Sequence, residues 1–378
     1  MTQIDDIGGG APNVLLSRRN PASAGWVAID EFEDLFQRLS GARILCPEQR
    51  SLLWSPLGKV QRRLLGRYLP LQENIEQDTD LLLVVARTPS DLSMLHSLTG
   101  ARKRFRRIAG YVIDSYFTEG FESKAECYDH IFCTTQEGAD FVRTRYGVSS
   151  SVLRQGFDCL TWANTDTDRS IDLIGFGRQP ASYHREFQRS FHDSRSSILY
   201  LHSPIGAKSG SAVWVERPMM LKLLQRSKMS LAFHLMVEPE EVRPRAADFV
   251  TSRWFESLAA GCIIVGRRPP GGMAAEMFDW PNALVDLPDR PSEATDFVKS
   301  LACDESFLRV TRTRNVFEMC RRHDWRYRIR DIYDHFNLSL SEGLKAEIIA
   351  LESAARLMAV ENCLKGAAAE NKKEGNTP

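Results

Sequence analysis

The chain has 378 residues, more than one compact domain usually holds and comfortable for two. Apolar residues (43%) and charged residues (26%) are in the proportions of an ordinary globular protein. Lys plus Arg equals Asp plus Glu at 49 each, so no global field draws the chain to nucleic acid or anionic lipid, and any polyanion must be met locally.

The first twenty residues lack the apolar core of a signal peptide, and no later run approaches the ~20 apolar residues of a membrane span. The expected compartment is the cytoplasm. Strands are predicted at 42–46, 81–86, 108–113, 130–134 and 151–153. Residues 81–86 are continuously apolar, the mark of a strand covered on both faces. Helical patterns lie between them, at 90–98 and at 136–146, the latter stopped by Gly147. The polar stretch 161–170 reads as a linker. Strands are then predicted at 172–177, 197–202, 228–234, 262–266 and 283–285. Strand–helix alternation implies parallel β-α-β units, used twice with a cleft between. The expected fold class is therefore α/β, two doubly wound Rossmann-like domains at 1–165 and 166–336. An amphipathic helix follows at 337–364, with Ile348, Leu351, Ala355 and Met358 on its apolar face, and a disordered polar tail at 365–378.

The eight cysteines form no C-x-x-C pair, and several sit in apolar runs, so they read as reduced structural thiols. Asp166-x-Asp168 imitates a metal-binding pair but lies in the polar linker, so no metal is expected.

The most informative segment runs from Asp248 through Glu256 to Gly261 and the apolar 262–265. A helix from Ser252 would bury Phe255, Leu258 and Ala259 and leave Glu256 on its exposed side, one turn after Ser252. Gly261 would stop it before a buried strand. Two carboxylates thus approach one strand-to-helix mouth.

Acid-x7-Glu before a Leu-Ala-x-Gly helix end resembles the signature of GT-B glycosyltransferases of the large group-1 family. Within that group, Arg253-x-Phe255-Glu256-x-Leu258-Ala259-x-Gly261 is similar to the spore-maturation-like branch. The resemblance implies that Glu256 binds the nucleotide ribose, with Ser252 beside it, and that Asp248 lies near the donor sugar. Asp248 stands where the family has Glu. An ionised carboxylate can accept from two neighbouring hydroxyls, which suits the first role. Gly271-Gly272, followed by Glu276 and 282–285, resembles the family's Gly-Gly loop, whose backbone N–H groups approach the ligand. Residues 172–178 resemble the strand that opens the second domain and ends in Gly-Arg. Arg178 would neutralise the donor diphosphate, and the family's Lys partner is replaced by either Arg185 or Lys208. Residues 128–158 resemble the end of the family's first domain. Together the likenesses span most of 80–335.

What the resemblance implies is a hexosyltransferase that moves sugar from a nucleoside diphosphate donor to an acceptor hydroxyl, leaning to retention, without metal or other cofactor. The acceptor, whether carbohydrate, lipid-linked or protein, is left open, and nucleic acid is not expected as a partner. A non-catalytic nucleotide-sugar-binding protein and a nucleotide-sugar epimerase remain as alternatives. The basic run 102–107 could dock weakly on acidic lipid, hold an anionic acceptor or simply be solvated. His96 and Asp114 are the first-half candidates for a base.

Overall fold

The computed structural model describes residues 13–19, 25–49, 67–73, 78–177, 179–202, 212–234, 237 and 249–374, with the backbone alone for 360–374. Two compact units divide the chain. Met1–Ala22, Ile29–Gln155 and Ile329–Ser341 make the first, and Ser23–Ala28, Gly156–Arg328 and Glu342–Pro378 the second. The expected boundary after residue 165 therefore falls at Gln155 instead. Its physical reason is Arg169, which is only 5% exposed. This guanidinium donates to the carbonyls of Asn164, Leu224, Ser227 and Ala260, so 161–170 is bound into the second unit and is no free linker.

In the first unit six parallel strands lie in the order β2-β1-β3-β4-β5-β6: β1 (Val14–Leu16), β2 (Arg43–Leu45), β3 (Thr79–Ala86), β4 (Phe105–Val112), β5 (His130–Cys133) and β6 (Ser150–Val152). Helix α1 (Val27–Ser40) joins β1 to β2, and α2 (Gln136–Tyr146) ends at a left-handed Gly147 as expected. Residues 90–98, expected as a helix, are a 3-10 turn at Pro89–Ser97. The side chains of β3 from Leu81 to Ala86 are fully buried. That is what continuous apolarity at the centre of a parallel sheet requires.

The second unit has five parallel strands in the order β11-β10-β9-β7-β8: β7 (Ile171–Gly175), β8 (Tyr200–His202), β9 (Ser227–Phe233), β10 (Ile263–Arg267) and β11 (Leu284–Asp286). Its helices are α3 (Ala181–Phe191), α4 (Ala212–Gln225), α5 (Ser252–Ala259), α6 (Gly272–Met277), α7 (Pro291–Cys303) and α8 (Glu305–Arg322). Helix α9 (Trp325–His335) spans the change of unit between Arg328 and Ile329. Helix α10 (Glu342–Glu374) packs on α8, and its Leu344, Ile348, Leu351 and Ala355 are buried. It outruns the expected end at 364, so residues 365–374, expected to be disordered, are helical.

Both sheets share one device. The first strand of each, β1 or β7, has its sequence successor on one side and the third strand on the other, so the winding reverses there. In open α/β sheets ligands bind outside the carboxyl ends of the strands at that reversal.

Candidate functional site

In the second unit the reversal lies between β7 and β9. The chain leaves β7 through Phe176 and Gly177, and Gly177 has a φ of +67°, a left-handed conformation that costs little only for glycine. A Cβ there would collide with the Arg253 guanidinium, which packs against Gly177 and lies 5.2 Å over the Phe176 ring. Gln179 folds back over Gly175 in the same way, where a Cβ would strike its side chain. Tyr200 donates to Gln179 Oε1 at 2.9 Å.

Arg253 comes from the first turn of α5. That helix forms as the sequence predicts: Trp254, Phe255, Leu258 and Ala259 are buried, and Gly261 follows it at a φ of +80°. Gly261 has a second reason for its identity, since a Cβ would meet the Asn164 carbonyl and the Arg169 guanidinium. The expectation for Glu256 is corrected. It is 3% exposed rather than solvent-facing, and its Oε1 pairs with Arg217 Nη1 at 2.9 Å. Arg217, on α4 and itself buried, covers the flank of α5 that the sequence pattern leaves to solvent. Ser257 is buried too, donating to Ser230 of β9 at 2.9 Å. Ser252 and Arg253 remain half-buried at the helix start.

Gly271 and Gly272 are exposed where α6 begins, and the space that a Cβ on Gly272 would take is open. Arg185 is exposed on α3, away from the core-facing Tyr183 and Phe187. Asp248, Arg178 and Lys208 lie outside the described residues. Asp166 and Asp168 are exposed, and among the described residues no group of three or more His, Cys, Asp or Glu is placed to hold a metal ion. Five of the cysteines that are described are at least partly buried; Cys303 is exposed, and so is Cys46, although its apolar run points to burial.

Sequence reasoning missed three residues here. Arg253 was visible three places before Glu256 but carried no assigned role. Gln179 and Arg217 gave no signal, because their partners are distant along the chain. A further group, His184, His192 and His202, surrounds Tyr200 beside edge strand β8. Burial, then the neighbouring imidazoles, hold His184 and His202 below the ordinary histidine range.

Beside the first unit's reversal, between β1 and β3, lies a buried network of polar side chains. Ser17 donates to Glu33 at 2.6 Å, Arg19 to the same carboxylate at 2.8 Å, and Arg87 to Asp30 at 2.6 Å. Burial pushes Glu33 up to about 7 against the opposing pull of Ser17 and Arg19. Asp114 stands at the carboxyl end of this sheet, its N–H donating to the Arg87 carbonyl, whereas His96 is exposed on the 3-10 turn. In the basic run, Arg102 pairs with Asp129 at 2.7 Å and Arg106 with Asp80 at 3.1 Å, so part of its charge is already matched on the surface. Among the described residues no helix is long and apolar enough to cross a membrane.

Residues 190–334 match a family described as glycosyl transferase-like. No curated protein matches the chain in sequence. Among solved structures it is similar to the Anabaena protein HepE in complex with UDP-glucose, at 10% identity and a TM-score of 0.51, covering 86% of this chain and 99% of that one. It is similar also to an alpha-glucosyltransferase in complex with UDP and a mismatched 13-mer DNA, at 10% identity and a TM-score of 0.51, covering 86% and 98%. At such identity the likeness establishes the fold. The chain thus has the GT-B fold, with a parallel sheet in each of two α/β units, and residues 190–334 match a glycosyl transferase-like family.

Proposed function

We propose that this glycosyltransferase moves a hexose-type sugar from a nucleoside diphosphate donor to an acceptor hydroxyl, with the donor held by the second unit at the carboxyl ends of β7 and β9. The observation that carries the reading is the composition of that reversal. Strand β9 and helix α5 of it lie within the glycosyl transferase-like segment and β7 just before it, and the crevice at such a reversal is where a doubly wound sheet receives a nucleotide. Arg253 brings positive charge to it on a half-buried, aromatic-backed guanidinium.

In this reading Glu256 serves the ribose through Oε2, because Oε1 is held by Arg217. Ser252 stands one turn before it on the same flank of α5. The open space at Gly272 lets backbone N–H groups of Gly271 and Gly272 approach the donor. Asp248 would face the sugar and Arg178 the diphosphate, with Arg185 or Lys208 as further cations. A departing diphosphate needs fixed positive charge as the glycosidic bond breaks, and arginine supplies it bidentately without a metal. Retention of anomeric configuration is part of the proposal and follows from the acid-x7-Glu pattern alone.

A second reading, a protein that binds nucleotide sugars without turnover, draws on the Arg217–Glu256 pair. A carboxylate whose one oxygen is occupied by a buried arginine offers ribose one acceptor oxygen instead of two. Release of nucleoside diphosphate from UDP-, GDP-, ADP- and dTDP-sugars separates the two. UDP-glucose comes first in that panel because HepE was crystallised with it. Turnover of one donor, reduced in Glu256→Gln, supports the transferase. Donor binding with no turnover under any acceptor favours the binding protein.

A further inference from the structure

We propose that His184 and His202, with His192 stacked on the second of them, form an acid-sensitive latch that holds helix α3 against edge strand β8 at neutral pH and lets it go as the rings take up protons. The latch is built within the second unit and does not depend on what the chain transfers. Strand β8 is the outer edge of its sheet and pairs with β7 over three residues only. So short an edge has few ladder bonds of its own and leans on what packs over it. Phe187 and Phe191 of α3 meet the Tyr200 ring at 5.8 and 6.2 Å, and the three imidazoles lie beside it. The His202 ring is 4.6 Å from that of His184 and 5.3 Å from that of His192, centroid to centroid.

Each ring is bonded as a neutral imidazole. The Tyr200 hydroxyl donates to Gln179 Oε1 at 2.9 Å, so it accepts from His184 Nδ1 at 3.0 Å and His184 Nε2 is left bare. His192 donates through Nε2 to the Tyr200 carbonyl at 3.2 Å. His202 Nε2 accepts from the Gln188 amide nitrogen at 3.3 Å, and a proton added there would set one N–H against another. His184 and His202 are half-buried, and His192 is exposed.

No acid among the described residues pairs with any of the three rings. Glu186 and Asp193 are taken by Arg189 and Arg195, Glu293 and Asp296 of α7 by Arg290 and Lys299, and Asp172 of β7 by Lys228. Arg185 on α3 is a further cation, as is Lys208 in the sequence after β8. An added proton therefore meets no counter-ion, and a ring resists charging once its neighbour is charged. Burial and the neighbouring imidazoles already hold His184 and His202 below the ordinary histidine range. A ring that refuses a proton in the closed edge and takes one in the open edge favours the open form as pH falls below about 6.5.

The test is hydrogen exchange of the full chain, read by mass spectrometry between pH 7.5 and 5.0 with intrinsic exchange rates divided out. Wild type is compared with the double variant His184→Asn/His202→Gln. Opening of residues 181–202 in wild type should rise on the order of tenfold or more over that range, since each proton taken up on opening adds up to about tenfold per pH unit. Residues 263–267 of buried strand β10 should change far less, and the double variant should respond several-fold less at 181–202. Equal change at the two segments in wild type, or an undiminished response in the double variant, overturns the latch. Should the double variant not fold, proton NMR titration of the wild-type imidazoles carries the test. Both His184 and His202 titrating below about 6.5 support the latch, and either one at or above that value overturns it.

Discussion

Arg217 Nη1 lies 2.9 Å from Glu256 Oε1, and both side chains are almost completely buried. The two come from successive helices of the second unit, α4 and α5, on either side of β9 in the chain. Removing either group takes away a close counter-charge from the other in a poor solvent for ions. Glu256→Ala and Arg217→Ala should therefore each destabilise the protein by about 3–5 kcal/mol. The double variant Arg217→Ala/Glu256→Ala should cost clearly less than the sum of the two single losses. Urea unfolding of the four proteins measures the coupling, and additive losses would show the contact to be incidental.

A second buried cation ties together the last helices. Arg326 is 1% exposed and meets Asp324 at 2.9 Å, Asp158 at 2.8 Å and Glu347 of α10 at 2.6 Å. Asp324 also accepts from the Cys159 N–H at 2.8 Å. Arg326→Met should cost about 3 kcal/mol or more, because Asp324 would be buried without its counter-ion. Glu347→Gln, at a partly exposed position, should cost well under half as much. Equal losses from the two variants would contradict this ranking.

The Glu33 carboxyl imposes a pH dependence on stability. Burial raises it to about 7 in the folded chain from an ordinary 4.5. Between those values the unfolded chain has released the proton while the folded chain still holds it. Stability contributed by this group is thus full at low pH and falls as pH rises across that window, by about 3 kcal/mol in all. Glu33→Gln should flatten this part of the profile, which urea midpoints at pH 5 and 7.5 will show.

His130 works in the opposite sense. Burial, then the neighbouring His335 and Arg143, lower it to about 3 from 6.5, and its ring is held between Ser149 and Ser151 at 2.9 and 2.8 Å. Below about pH 6.5 the unfolded chain takes up a proton that the folded chain refuses. Stability is lost as pH falls, by about 1.4 kcal/mol per unit until the folded group titrates. His130→Gln should reduce that slope between pH 6.5 and 4.5, and an unchanged slope would show that His130 is not its source.

Much of this architecture could be read from the sequence because its signals are local. The apolar run at 81–86 needs burial on both faces, and Gly147 and Gly261 end their helices in left-handed conformations. Three apolar residues show no alternation, so strand β1 is not legible in the sequence, yet the winding of its sheet reverses beside it. The site was only half legible. The pattern around Glu256 correctly marked a helix between two buried strands. What covers that carboxylate is Arg217, from an earlier helix, and no periodicity within α5 can report a neighbour from elsewhere in the chain. The same limit applies to Gly177, whose glycine is explained only once Arg253 is packed against it.

The most direct measurement is a crystal structure of the chain with a nucleoside diphosphate bound. The diphosphate should lie at the carboxyl ends of β7 and β9, within hydrogen-bond reach of Arg253, with the ribose toward Glu256. A nucleotide seated away from this reversal, with Arg253 untouched, would contradict the account.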